Sequence, residues 1–167
     1  MAYLLDANVF IQAKNLHYGL DFCPAFWDWL IVRNAEERVF SIEKVADEIR
    51  AGGDESATWA SQRGPRFFLQ PDALVLPSLQ TVSAWANGQQ YEQAAVSTFL
   101  QVADYYLVAQ ALTYENTVVT HEIASTSAKR IKIPDACIAL GIKCVTPFEM
   151  LRIERARFVL EMPAGSS

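Results

Sequence analysis

The first apolar run of this chain is interrupted by a charge. Tyr3-Leu4-Leu5 reads as a strand, runs into Asp6-Ala7-Asn8 and resumes as Val9-Phe10-Ile11. A carboxylate inside a segment bound for the core is costly unless a partner meets it there. The fold must therefore bring a polar or charged partner to Asp6, and few architectures do so at the end of a short strand. The pattern returns late in the chain. Thr117-Val118-Val119-Thr120 is a β-branched run suited to a buried parallel strand, and it ends at His121-Glu122.

Strand-like and helix-like pieces alternate between and after these runs. Phe22 to Arg33 has helical spacing, Val39-Phe40-Ser41 is a short strand or turn, and Ser41 is a candidate N-cap for a helix over Ile42 to Arg50 that Gly52 and Gly53 stop. A more polar helix comes next over Glu55 to Gln62, ending at Gly64-Pro65. Phe67 to Ser83, with Pro71 and Pro77, reads as a strand or an extended connection. Gln90 to Leu112 reads as two helices meeting near Gln101 to Ala103. Asp135 to Gly141 is a short helix closed by glycine, Lys143 to Thr146 a last strand, and Pro147 starts a helix over Phe148 to Arg157. Such alternation predicts an α/β fold of three layers, a central, mainly parallel sheet covered by helices on both faces, with the site at the carboxyl ends of the strands.

The 167 residues, about half of them apolar, suit one domain, expected over 1–160, with a disordered tail over 161–167. No segment approaches the roughly 18 uninterrupted apolar residues of a membrane span, and no basic stretch precedes an apolar one at the N-terminus, so a cytoplasmic protein with no membrane partner is expected. Cys23, Cys137 and Cys144 lack CxxC or Cys/His spacing, and reduced, packed thiols are expected. The net charge of −5 is unevenly placed: residues 1 to 128 hold seven Lys/Arg against fifteen Asp/Glu, and 129 to 167 hold seven against four. That basic part includes Lys129, Arg130, Lys132, Lys143, Arg152, Arg155 and Arg157; it is either an ordinary solvated surface or a holder of phosphates beside an acidic pocket.

Four carboxylates, Asp6, Glu48, Asp104 and Glu122, sit at ends of apolar runs or on apolar helix faces, and together they read as a divalent-metal site. Two of them have ordinary explanations. Asp104 projects from the apolar side if its helix is continuous, and is an N-cap if a helix begins there. Glu48 lies on one edge of an inward face made by Ile42, Val45, Ala46 and Ile49, Glu43 lies on the other, and helical geometry does not choose between them. Histidine-based cleavage has only His17 and His121 to draw on, Ser125 to Ser127 lack the glycine setting of a nucleophile elbow, and no phosphate-binding glycine loop is present. A phosphatase with an aspartate nucleophile needs a second aspartate where Asn8 stands.

In order, the segments LLDANVFI, VFSIEKVADEI, VADYYLVAQAL and VVTHE resemble a PIN domain, a metal-dependent ribonuclease fold found in toxins of prokaryotic toxin-antitoxin pairs. The resemblance runs from Ala2 to about Arg152, and VVTHE followed by KRIKIPDACIALGIKCVTPFEMLR is similar to a subgroup with little assigned function. It implies catalytic carboxylates at Asp6, Glu48, Asp104 and Glu122, with Mg²⁺ or Mn²⁺ held by Asp6, Asp104 and Glu122. Asn8, Thr120 and His121 would position water or substrate. The chain departs from the pattern at Glu122, where aspartate is commoner, and in Ile123-Ala124-Ser125, where a further aspartate is missing; Asp135 is the candidate to replace it in an outer shell. The resemblance further implies an RNA substrate, a cognate antitoxin protein and a homodimer. A PIN-like module that binds RNA or protein without cutting is the alternative. The large apolar groups at Phe22, Phe26, Trp27, Trp29, Trp59, Phe67 and Phe68 fit either a core or an interface.

Overall fold

The computed structural model of the protein describes residues 1–162, 164 and 165. Five short strands form one sheet: β1 (Tyr3–Leu5), β2 (Val39–Ile42), β3 (Phe68–Leu69), β4 (Thr117–Val119) and β5 (Cys144–Val145), in the order β3-β2-β1-β4-β5. Every pairing is parallel, with Tyr3 opposite both Val39 and Thr117, and Val118 opposite Cys144. All residues of β1 and β4 are buried, as expected for strands with helices on both faces. The resulting fold is a three-layer α/β arrangement, as the alternation predicted.

The helices are α1 (Ala7–Gln12), α2 (Pro24–Ala35), α3 (Glu43–Ala51), α4 (Glu55–Ser61), α5 (Leu76–Gly88), α6 (Gln93–Phe99), α7 (Ala103–Tyr114), α8 (Ile133–Leu140) and α9 (Pro147–Ile153). One π-helical turn, Ala13–His17, extends α1, and a 3-10 turn, Ala73–Val75, leads into α5. Gly141 closes α8 at φ 71°, a left-handed conformation that costs a residue with a Cβ. The predicted break near Gln101 to Ala103 is present, between α6 and α7.

Three expectations are corrected. Ser41 does not cap α3: Ile42 occupies the N-cap without a side-chain bond, and the buried Ser41 hydroxyl donates to the Leu5 carbonyl at 2.6 Å, tying β2 to β1. The stretch from Leu76 is α5 rather than a connection, because Pro77 sits in the first turn, where its missing N–H has no helical partner to lose. The last helix ends at Ile153, short of Arg157. Part of the tail expected to be disordered, residues 163, 166 and 167, lies outside the described residues.

The aromatic surplus is mostly core. Phe10 packs against Trp27, Trp59, Phe67 and Phe68 with ring centroids 5.9 to 6.4 Å apart, and Phe26 and Trp27 are fully buried. Phe22 alone of that set is largely exposed, at 68%. The three cysteines are free, with Cys137 buried.

The chain leaves β1 toward β2 and β3 on one side and reaches β4 and β5 on the other. The order therefore reverses between β1 and β4, and a crevice opens outside their carboxyl ends. One backbone bond, from the Asp6 N–H to the Val119 carbonyl at 3.0 Å, joins the ends of β1 and β4, and another, from the Thr120 N–H to the Val145 carbonyl at 3.0 Å, joins β4 to β5. The Ser41 hydroxyl lies in the same region and satisfies a polar group in the core. Ser41→Ala is expected to lower stability by about 1–2 kcal/mol, read as a lower urea midpoint with an unchanged slope; an unchanged midpoint would show that the bond contributes nothing net.

Candidate metal and nucleic-acid site

Asp6 follows β1 in extended conformation and caps α1: its Oδ1 accepts from the Ala7 N–H at 2.7 Å. Its Oδ2 accepts from the Thr120 hydroxyl at 2.8 Å, across the switch point from the end of β4. The Thr120 oxygen in turn accepts from Asn8 Nδ2 and from the Glu122 N–H, both at 3.1 Å, while Asn8 Oδ1 accepts from the His121 N–H at 3.1 Å. Thr120 thus spends its one donor and both lone pairs inside the protein. This network closes β1 onto β4 and fixes the direction of the Asp6 carboxyl.

Asp6 is 4% exposed and faces no cation at hydrogen-bond distance among the described residues. Burial, with the charges of Asp104 and Glu122, pushes its pKa up to about 8 against the lowering effect of Thr120 and Ala7. Asp104 behaves likewise. It lies in the first turn of α7, where Val102 is the N-cap, so it is neither a cap nor a mid-helix residue. Burial, then Glu122 and Glu48, raise its pKa to about 6, against the Arg130 charge. Glu48, on the outer side of α3, is raised by burial of its carboxyl. The structure thereby separates Glu48 from Glu43: Glu48 shares a cleft with Asp104, and Glu43 does not.

That cleft has a volume of about 720 Å³. Glu48 and Asp104 line it together with Lys44, Lys129 and Arg130. Lys44 was not singled out in the sequence; its spacing of four residues from Glu48, one helical turn, was the available signal. Glu122, 10% exposed at its side chain, is engaged on both oxygens, accepting from the Ile133 N–H at 2.7 Å and from Arg130 Nη2 at 3.2 Å. Asp135 accepts from the Ser125 N–H at 3.1 and 3.3 Å and so braces the loop before α8. His121 packs in a cluster with His17, tilted at 5.4 Å, and Phe148, edge-on at 5.5 Å; burial and His17 hold its pKa below the ordinary value. His17, 104 positions away, gave no sequence signal for this contact.

The donor chemistry fits a hard divalent cation. The oxygens come from carboxylates, and two of these have pKa values raised by burial and by the neighbouring acids. Among the described residues, no three His, Cys, Asp or Glu side chains are already gathered about one point. The acids are neighbours in electrostatic reach, with Glu122 turned to other partners.

The sequence matches one family over residues 3–158, the "Domain of unknown function (DUF4411)". The chain belongs to that family. Two solved structures share its fold. The crystal structure of FitAcB from Neisseria gonorrhoeae is 20% identical with a TM-score of 0.53, covering 87% of this chain and 98% of that one. The structure of FitAB bound to an IR36 DNA fragment is 20% identical with a TM-score of 0.53, covering 96% of this chain and 98% of that one. The DUF4411 chain accordingly has a PIN-like fold. No curated protein matches the sequence.

The raised acids have a consequence for stability. A carboxyl whose pKa rises from 3.8 to about 8 on folding holds its proton in the native state after the unfolded chain has lost it. Stability of the metal-free protein therefore falls as pH rises from about 4, and levels off above about 8. In EDTA the melting temperature is expected to decline over that interval, and Asp6→Asn is expected to flatten the decline and raise the melting temperature above pH 7. A wild-type melting temperature that climbs with pH would contradict the assignment.

Proposed function

We propose that this protein is a divalent-metal-dependent endoribonuclease, the toxin of a type II toxin-antitoxin pair, built as one PIN-like domain over residues 1–160. The observation that carries the proposal is two buried carboxyls in electrostatic reach of each other, Asp6 at the topological switch point and Asp104 in a cleft edged with cations, both with raised pKa values. The likeness of the four sequence segments to PIN toxins and the PIN-like fold support it.

Asp6 and Asp104 would hold Mg²⁺ or Mn²⁺, with Glu122 as a ligand directly or through water. When bound, the ion supplies Lewis acidity: it lowers the pKa of water and offsets charge that develops on the phosphoryl and leaving oxygens. The protein groups do the positioning. The Thr120 hydroxyl and the Ala7 N–H fix the Asp6 carboxyl, and Asn8 fixes Thr120 and the start of the His121-Glu122 segment. Glu48, on the cleft wall, accepts the proton of the attacking water or acts as an outer ligand. Lys44 and Lys129 neutralise substrate phosphates along the cleft. Water as nucleophile leaves a 5′-phosphate and a 3′-hydroxyl.

A cytoplasmic location and a homodimer silenced by a cognate antitoxin complete the proposal. No helix of the described residues is long and apolar enough to cross a membrane. The FitAB structure is described as bound to a DNA fragment, and an assembly of this chain with a DNA-binding antitoxin is part of what we propose. One observation favours a second reading, a PIN-like module that binds RNA or protein without cutting: both oxygens of Glu122 have protein partners.

Purified, antitoxin-free protein is expected to cut members of a panel of tRNA, rRNA fragments and single-stranded RNA with Mg²⁺ or Mn²⁺, and to stop in EDTA. Asp6→Asn and Asp104→Asn are each expected to reduce cleavage by at least about a hundredfold while keeping the fold. Cleavage that persists in EDTA, or in both variants, would refute the metal mechanism; RNA binding without cleavage at any metal concentration would favour the second reading.

A further inference from the structure

Glu122 stands three residues beyond the end of β4, and its two oxygen contacts differ in kind. The Ile133 N–H is backbone at the first turn of α8, and Ile133 itself is fully buried. Arg130 reaches the other oxygen from the loop, at 3.2 Å, with a side chain 64% exposed. An ion pair with one partner in solvent is worth little and is made and lost easily. The backbone contact is a fixture; the guanidinium contact is an exchangeable one.

The loop that carries Arg130 does not depend on that ion pair. Asp135 accepts from the Ser125 N–H, Ser125 Oγ from the Ser127 N–H at 3.1 Å, and Ser127 Oγ from the Lys129 N–H at 3.2 Å. The Ala128 carbonyl accepts from the Glu92 N–H at 2.9 Å, which fastens the loop to the start of α6. The Arg130 side chain can therefore change partner while its backbone stays in place. It lines the cleft beside Lys129, together with Asp104 and Glu48, so an anion that enters the cleft comes within its reach. A guanidinium presents a planar fork of donors that suits a phosphate as well as a carboxylate.

We propose that Arg130 is a positioning residue that exchanges partners: it holds Glu122 in the metal-free protein, and it moves to a phosphate of the RNA substrate when Glu122 turns to a divalent cation. The exchange presupposes the nuclease function proposed above. It has two consequences. Arg130 and the cation compete for Glu122, so losing the guanidinium strengthens metal binding. Metal and RNA assist one another, because each takes one partner of the pair, and linkage makes that assistance equal in both directions.

The test is calorimetric titration of Mn²⁺ into the full-length protein and its Arg130→Gln and Arg130→Lys variants, alone and with a 5′-phosphorylated RNA dinucleotide. Without the dinucleotide, Arg130→Gln is expected to bind Mn²⁺ roughly three- to tenfold more tightly than wild type. The dinucleotide is expected to bind wild type more tightly with Mn²⁺ than without it, and to bind Arg130→Gln weakly with little response to the metal. Arg130→Lys, which keeps the charge and loses the fork, is expected to fall between. Loss of a positive charge beside the acids raises metal affinity by itself, so the exchange is read from the coupling: an arginine that never leaves Glu122 would leave the effect of Mn²⁺ on dinucleotide binding unchanged in Arg130→Gln. Equal or weaker Mn²⁺ binding by Arg130→Gln overturns the exchange and leaves the nuclease function standing; a wild type that binds no Mn²⁺ overturns both.

Discussion

A hydrogen bond between the Thr120 hydroxyl and the buried Asp6 carboxyl, 2.8 Å long, joins the carboxyl ends of β1 and β4 at the place where the strand order reverses. Both strands are three residues long, so the polar residues at their ends fix the exit of each chain segment as much as the sheet does. Asp6 also caps α1, and Thr120 also receives Asn8 and the Glu122 N–H. The direction of α1, the start of the loop to α8 and the acids around the crevice therefore share one polar network. Buried networks of this kind specify a single arrangement when every member is satisfied.

Satisfied hydrogen bonds do not remove the electrostatic problem. Thr120 and Ala7 lower the proton affinity of Asp6, yet burial together with Asp104 and Glu122 outweighs them, leaving the group near pKa 8. Asp104 has Arg130 as its favourable charge and still rises to about 6. A protein built only for stability would replace such a pair with apolar or neutral groups, since unpaired buried charge costs more than any one hydrogen bond returns. Under the proposed function, this surplus of acidic groups is the protein's half of a site whose other half is a cation. Lys44 and Lys129 edge the same cleft, and Arg130 there also serves the acids through its contact with Glu122.

Much of this arrangement was legible in the sequence where the cause is local. Apolar runs ending in Asp6 and Glu122 located the strand ends, Gly141 marked the end of α8, and the break between α6 and α7 lay where the helical pattern falters. What escaped was set by contacts distant in sequence. Ser41 looks like a cap by its neighbours, but its hydroxyl answers the Leu5 carbonyl, 36 positions away. Asp104 offered a cap or an inward face, and it is a first-turn residue facing a cleft whose other wall belongs to α3. The proline at the start of α5 reads alike as a helix opener and as an extended connection. Glu48 could not be told from Glu43 by periodicity, because only the position of α7 separates them. The Glu122 ion pair with Arg130 spans eight residues of irregular loop, which no repeat encodes.

If the acids are one half of a metal site, the Asp6 carboxyl keeps its proton in the metal-free protein and gives it up to a divalent cation. Calorimetry of Mn²⁺ binding at pH 7, repeated in buffers of different ionisation enthalpy, counts the protons released. For the wild type about one proton is expected to leave per ion bound, and the release is expected to be largely abolished in Asp6→Asn. Binding without proton release, or a release that Asp6→Asn leaves unchanged, would contradict a protonated Asp6 as the protein's half of the site.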